Sequence, residues 1–242
     1  MPGLTRVGCS LLALILPTLA WGQTPMERPK PLPADVRAAW VKAGASVLWM
    51  ERGHTGFLSR VGTGEGKFGE VPTFLLSVKS WEAAAGHLPK PEQPFGLVLQ
   101  DQKPSDDALR ELTRFKHLQS LSLSVFELTD GGLKEIAKLQ SLRALDLSAT
   151  KVTDAGMKEV AKLKQLQALY LDSVKITDVG MKEIGKLKEL HTLDLRRTQI
   201  SDAGLKELLG HPQLMSLCLF GTNISADART DLRRALPGLY IR

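Results

Sequence analysis

Leucines recur along the second half of this chain in a fixed rhythm. Leu118, Leu121 and Leu123 set a spacing of L-x-x-L-x-L, repeated at Leu142, Leu145, Leu147, at Leu166, Leu169, Leu171, at Leu190, Leu193, Leu195 and at Leu214, Leu217, Leu219. Leu97 and Leu99 keep the same register upstream, and Leu128, Val152, Ile176, Ile200 and Ile224 each follow a set by five residues. Between the sets, Thr129-Asp130, Thr153-Asp154, Thr177-Asp178 and Ser201-Asp202 return at intervals of 24, with Ser105-Asp106 one period earlier. Alternation through Leu145-Asp146-Leu147 predicts a short strand that turns its leucines inward and Asp146 outward. After the turn, Thr153 is placed to cap a helix carrying Met157, Val160, Ala161 and Leu163 on one side and Lys158, Glu159 and Lys162 on the other. One such unit has too few inward side chains to offset the entropy of ordering itself, so its stability must come from stacking on its neighbours.

With these residues in place, the sequence resembles the leucine-rich repeat family, and within it the T-D-x-G-L-K-x-L variant of secreted bacterial arrays and of cysteine-containing, ribonuclease-inhibitor-like repeats. The resemblance spans about residues 95 to 242, six copies in register. It implies an α/β fold: a right-handed solenoid with a concave parallel sheet, short convex helices, and partners held on the concave side. Gly132, Gly156, Gly180 and Gly204 stand at helix starts, where glycine is costly, so close backbone contact with the adjacent copy is expected. The family's usual turn asparagine is replaced by Phe126, Thr150, Val174, Thr198 and Thr222, which predicts an interrupted ladder and a looser turn side.

Both ends depart from the pattern. Ser225-Ala226-Asp227 lacks the acid after serine, Arg229 replaces an apolar residue, and Asp231, Arg233 and Arg234 crowd a last helix that Pro237-Gly238 ends. This reads as a polar cap closed by a strand at Leu239-Tyr240-Ile241. Residues 34–94 read as an N-terminal α+β capping module: a helix from Ala34 to Gly44, strands at Ser46 to Arg52 and Val71 to Val78, and a helix from Trp81 to His87. Trp40, Trp49 and Trp81 suggest that it has its own aromatic core, and Phe74 and Leu76, 23 residues before Leu97 and Leu99, a degenerate first copy. Further upstream, Arg6, the apolar run Val7 to Leu19 and Ala20-Trp21-Gly22 have the form of a signal peptide over residues 1–22, cleaved near Gly22. A proline-rich linker follows over 23–33. The expected location is therefore extracytoplasmic, periplasmic or released, with no stable membrane span.

Composition narrows the chemistry. Lysine and arginine total 32 against 26 acids, and 31 against 26 without the leader, a mildly basic mature chain. Cys9 falls within the leader and leaves Cys218 alone, so neither a disulfide nor a cysteine zinc site is available. His54, His87, His117, His191 and His211 lack metal-ligand spacing. Gly64-Glu65-Gly66-Lys67-Phe68-Gly69 fits G-x-G-x-x-G but leads into a proline and a strand, not into a helix that would receive a phosphate. No nucleophile elbow stands out, so the sequence predicts no enzyme, cofactor or metal. The helix lysines alternate with glutamates such as Glu135, Glu159 and Glu183, which favours a solvated convex face over nucleic-acid binding. Asn223-Ile224-Ser225 is a glycosylation sequon in form, yet Ile224 belongs to the core register.

The outward residues of the strands form columns. One reads Val98, Ser122, Asp146, Tyr170, Asp194, Cys218; the next Gln100, Ser124, Ser148, Asp172, Arg196, Phe220; the third Asp101, Val125, Ala149, Ser173, Arg197, Gly221. Tyr170, Asp172, Asp194, Arg196, Arg197 and Phe220 therefore gather on the C-terminal half, and arginine and aromatic residues are enriched at binding hot spots. The competing reading is that Asp172 simply pairs with Arg196 across adjacent strands. The leading functional expectation is a secreted, non-enzymatic scaffold that binds a protein or peptide on this face. The alternative is a structural array held to the envelope by its lysine-rich convex side.

Overall fold

The computed structural model describes residues 31–52, 58–60, 70–101, 104–124 and 127–242. The leader, most of the linker, the glycine-rich segment at 64–69, Val125 and Phe126 lie outside the described residues.

In chain order the strands are β1 (Ser46–Arg52), β2 (Leu58–Arg60), β3 (Glu70–Ser77), β4 (Phe95–Gln100), β5 (Leu118–Ser122), β6 (Ala144–Asp146), β7 (Ala168–Tyr170), β8 (Thr192–Asp194), β9 (Ser216–Cys218) and β10 (Tyr240–Ile241). The helices are α1 (Ala34–Lys42), α2 (Val78–Ala84), α3 (Asp106–Glu111), α4 (Asp130–Ile136), α5 (Asp154–Val160), α6 (Asp178–Ile184), α7 (Asp202–Leu205) and α8 (Ala226–Ala235), and 3-10 turns extend α3 over Leu112–Arg114 and α7 over Lys206–Gly210. Among the described residues the ten strands form one sheet, in the order β10-β9-β8-β7-β6-β5-β4-β3-β1-β2. From β3 to β10 the pairing is parallel, and the leucines align from copy to copy: Leu97, Leu121, Leu145, Leu169, Leu193 and Leu217 are successive partners. This is the α/β repeat solenoid that the leucine spacing predicts.

The N-terminal region joins the same stack. Phe74 pairs with Leu97 and Leu76 with Leu99, while β1 and β2 add an antiparallel edge. The helix α2 starts at Val78, three residues before the expected Trp81, because Ser77 caps it by accepting from the Ser80 N–H at 3.1 Å. Instead of a separate aromatic core, Trp40 stacks on Phe74 at 3.9 Å and meets Phe95 and Phe115 of the array edge-on. The buried apolar side chains form one continuous cluster from Leu32 to Ile241, and Trp49, though buried, is not part of it.

What ties the copies together is an acidic ladder. The Asp130 carboxylate accepts from the Thr153 N–H at 2.8 Å and the Thr153 hydroxyl at 2.7 Å. Asp154 does the same with Thr177, and its Oδ1 also takes the Gly180 N–H at 3.0 Å. Asp178 holds Ser201, and Asp202 holds Ser225. Glu82 stands in the aspartate's place one copy before Asp106 and accepts from the Ser105 N–H at 3.0 Å. The repeated glycine makes room for this rung: a Cβ at Gly180 would sit 2.5 Å from Asp154 Oδ1. At Gly156, Gly180 and Gly204 the close neighbour is thus a carboxylate of the preceding copy, not its backbone, whereas at Gly132 it is the Leu128 and Leu109 side chains.

On the turn side the side-chain ladder between copies is interrupted, as the missing asparagines predict, but backbone bonds remain. Thr150, Thr198 and Thr222 donate to the carbonyl three residues back in their own copy, each at 2.6 Å, and the copies are joined there by backbone bonds. Ala149 N–H reaches Asp172 O at 2.7 Å, Ser173 reaches Arg196 O at 2.9 Å and Arg197 reaches Phe220 O at 2.9 Å. The residues making these bonds sit in left-handed backbone, with φ of 56° at Ala149, 60° at Ser173 and 53° at Arg197. That conformation costs a non-glycine residue about 1–2 kcal/mol.

Candidate binding surface

The parallel strands bury their leucines against the helices and present the alternate residues on the opposite face of the sheet. Asp146, Tyr170, Asp194 and Cys218 are register partners on β6 to β9. Asp146 accepts from the Ser122 hydroxyl at 3.0 Å and from the Ser148 N–H at 3.0 Å, and Asp194 likewise accepts from the Arg196 N–H at 3.0 Å. Each carboxylate thereby fixes the backbone just beyond its own strand.

Four of the expected site residues form one ion-pair network. Arg196 lies 2.6 Å from Asp194 and 3.3 Å from Asp172, and Arg197 reaches Asp172 as well, at closer range. Arg197 also donates from Nε to the Ser173 hydroxyl at 2.8 Å. The Asp194 hydrogen bond raises the Arg196 pKa above its usual value, against the effect of burial. The cross-strand pairing of Asp172 with Arg196 is therefore present, but as part of a larger network that engages both guanidinium groups. Its two carboxylates are sunk in the surface, with Asp194 only 2% exposed, whereas the Arg197 side chain is 52% exposed.

The other two residues part company. Tyr170 is buried, at 6% exposure, in the column between Asp146 and Asp194. Burial, then the two flanking carboxylates, push its phenol above the ordinary tyrosine value, so it stays neutral. It supports the surface without offering a contact. Phe220, in contrast, is 70% exposed immediately beyond β9. Cys218 is buried, and burial followed by Asp194 raises its thiol pKa, which disfavours the reactive thiolate.

Two features of this end were not anticipated. Tyr240, 57% exposed on β10, has the Arg242 guanidinium 5.1 Å from its ring centroid. Gly221, at φ 74°, leaves space for Arg197, whose Cγ a Cβ there would meet at 3.0 Å. The phase of the L-x-x-L-x-L pattern, extended one copy from Leu217 to Ile241, would have placed Tyr240 on the outward face. Among the described residues no helix is long and apolar enough to cross a membrane, and no group of three or more His, Cys, Asp or Glu side chains is placed to hold a metal ion.

This is a repeat solenoid whose open sheet face carries a partly exposed charged and aromatic patch. A family model described as leucine-rich repeat matches residues 138–161 and 187–209, and the chain is a leucine-rich repeat protein. Among solved structures it is similar to internalin C2 from Listeria monocytogenes, with 23% identity, a TM-score of 0.54, and coverage of 87% of this chain and 82% of that one. Curated proteins provide no match.

Proposed function

We propose that this chain is an exported, non-enzymatic scaffold that holds a protein or peptide partner on the C-terminal part of its open sheet face. The observation that carries the reading is Phe220, a large apolar side chain 70% exposed beside the ion-paired Arg196–Arg197–Asp172–Asp194 network. Anchors of this kind, an aromatic ring next to pre-ordered arginine, dominate protein interfaces because little further ordering is needed on binding. Within the patch, Phe220 and Arg197 would touch the partner, and Asp172, Asp194 and Arg196 would position them. Tyr170 would act from below as packing.

A photo-crosslinking residue placed at Phe220, and as a control at Gln100 in the same column, tests this in the native organism. The expected result is one discrete adduct at position 220 and none at 100, lost when Arg197→Ala is added. Equal labelling at both positions, or none at either, would contradict it. Export is tested separately by the mass of the protein recovered outside the cytoplasm. It should start near Gln23, and recovery of a chain still beginning at Met1 would refute cleavage.

A further inference from the structure

The helix face of the array carries a pattern that the functional reading above does not use. In α4, α5 and α6 a lysine–glutamate pair is followed three residues later by a second lysine. The second lysine takes the glutamate: Lys138 lies 2.7 Å from Glu135, Lys162 2.7 Å from Glu159 and Lys186 2.6 Å from Glu183. These glutamates are only 17–21% exposed, so each is covered as well as paired. The first lysines, Lys134, Lys158 and Lys182, are exposed, and among the described residues they form no salt bridge. Being one period apart, they stand in a row across three packed helices, at the spacing of about 8–10 Å that helix packing sets. The face thus presents a row of exposed lysine ammonium groups running along the array, each four residues after the aspartate that starts its helix.

We propose that this row binds a linear acidic polysaccharide, one anionic group to each lysine, laid across the helices parallel to the stacking direction. Three features point to that partner. Charge complementarity is direct at these lysines, since in each helix the glutamate is paired with the second lysine and the first-turn aspartate is taken up by the serine or threonine of the next copy. The spacing fits a polymer with one anion per disaccharide, a unit about as long as the distance between packed helices. The row is built of lysine alone, with no aromatic residue in α4, α5 or α6 on which a nucleic-acid base would stack, and no arginine fork for a phosphate.

Hyaluronate oligosaccharide, with one carboxylate per disaccharide, is the probe, titrated onto the full chain at low salt with dextran as the neutral control. The triple variant Lys134→Gln, Lys158→Gln, Lys182→Gln should weaken binding at least tenfold. The triple variant Lys138→Gln, Lys162→Gln, Lys186→Gln removes the same net charge and should weaken it no more than about twofold. Binding should vanish in 1 M salt, where screening acts beyond about 3 Å. Equal losses in the two triple variants would overturn the proposal, because net charge alone would then be responsible. Absence of hyaluronate binding, or equally tight binding of a dT oligonucleotide, would also overturn it. All six lysines are exposed, and thermal unfolding of both variants should stay close to that of the parent.

Discussion

The imidazole of His211 occupies a place that Phe115, Leu139, Leu163 and Leu187 fill in the preceding copies, and it is fully buried there. Neither ring nitrogen makes a hydrogen bond of ordinary geometry. Burial, and then Lys188, lower its pKa, while nearby carbonyls act the other way. His191 is lowered too, first by burial. A histidine with a depressed folded pKa contributes stability that is present above the unfolded value of about 6.5 and lost as pH falls from there through the folded value. Unfolding measured between pH 8 and 5 should therefore show stability falling below about 6.5, and His211→Leu should raise stability and flatten that fall. An unchanged pH profile would remove His211 from the account. Lower still, Asp202 and Glu82 are held below the usual carboxylate range by their hydrogen bonds from Ser225 and Ser105. Burial raises Asp178, but its bonds from Ser201 and Gly204 outweigh that and leave it lowered as well. These groups contribute stability above the unfolded carboxylate value of about 4, which is lost as pH falls through their lower folded values.

Glycine gives a second test at this scale, because two neighbouring predictions have opposite signs. A Cβ at Gly131 meets nothing closer than 3.8 Å, so Gly131→Ala should stabilise the chain by up to about 1 kcal/mol through helix propensity. At Gly180 the same change collides with the Asp154 rung and should destabilise by about 1–3 kcal/mol. Urea unfolding of both variants decides it, and a gain at Gly180 would mean that the rung is not tight. The rung itself was written in the sequence as T-D-x-G, but its meaning was not legible there. Only stacking shows that an aspartate reaches the serine or threonine 23 residues on. For the same reason the outward phase of Tyr170 was readable while its burial was not, since exposure depends on the neighbouring strands as well as on alternation.

At the scale of elements, capping residues did much of the placing. Ser225 accepts from the Ala228 N–H at 3.1 Å to start α8 and donates its hydroxyl to Asp202 at 2.7 Å, so one side chain both begins the final helix and fastens it to the previous copy. Ser225→Ala should cost about 1–2 kcal/mol and raise amide exchange in α8 ahead of the rest. Exchange unchanged in α8 would show that Leu232 and Leu236 hold the helix without the cap. Helices α4 to α7 were legible because the serine or threonine before each aspartate recurs with the period. The start of α2 was missed because its cap, Ser77, is also the last residue of β3, where an extended reading of the strand conceals it.

Over the whole molecule, periodicity made the array readable and concealed how it begins. The aromatic residues at the N-terminal end suggested a module of its own, yet Trp40 lies against Phe95 and Phe115 of the repeats, and the sheet passes through residue 94 without a break in its order. Aromatic content marks a core, but not whether that core is shared. Because Trp40, Trp49 and Trp81 all lie at this end, their fluorescence reports on a region far along the stack from β8. The copies are ordered through their neighbours and share one core. Leu193→Ala, which should cost about 2–5 kcal/mol, tests that most directly. In urea, the tryptophan fluorescence and far-ultraviolet circular dichroism transitions of this variant should move together to a lower midpoint. A tryptophan transition that stays at the parent midpoint while the dichroism transition shifts would show two independent units and contradict the account.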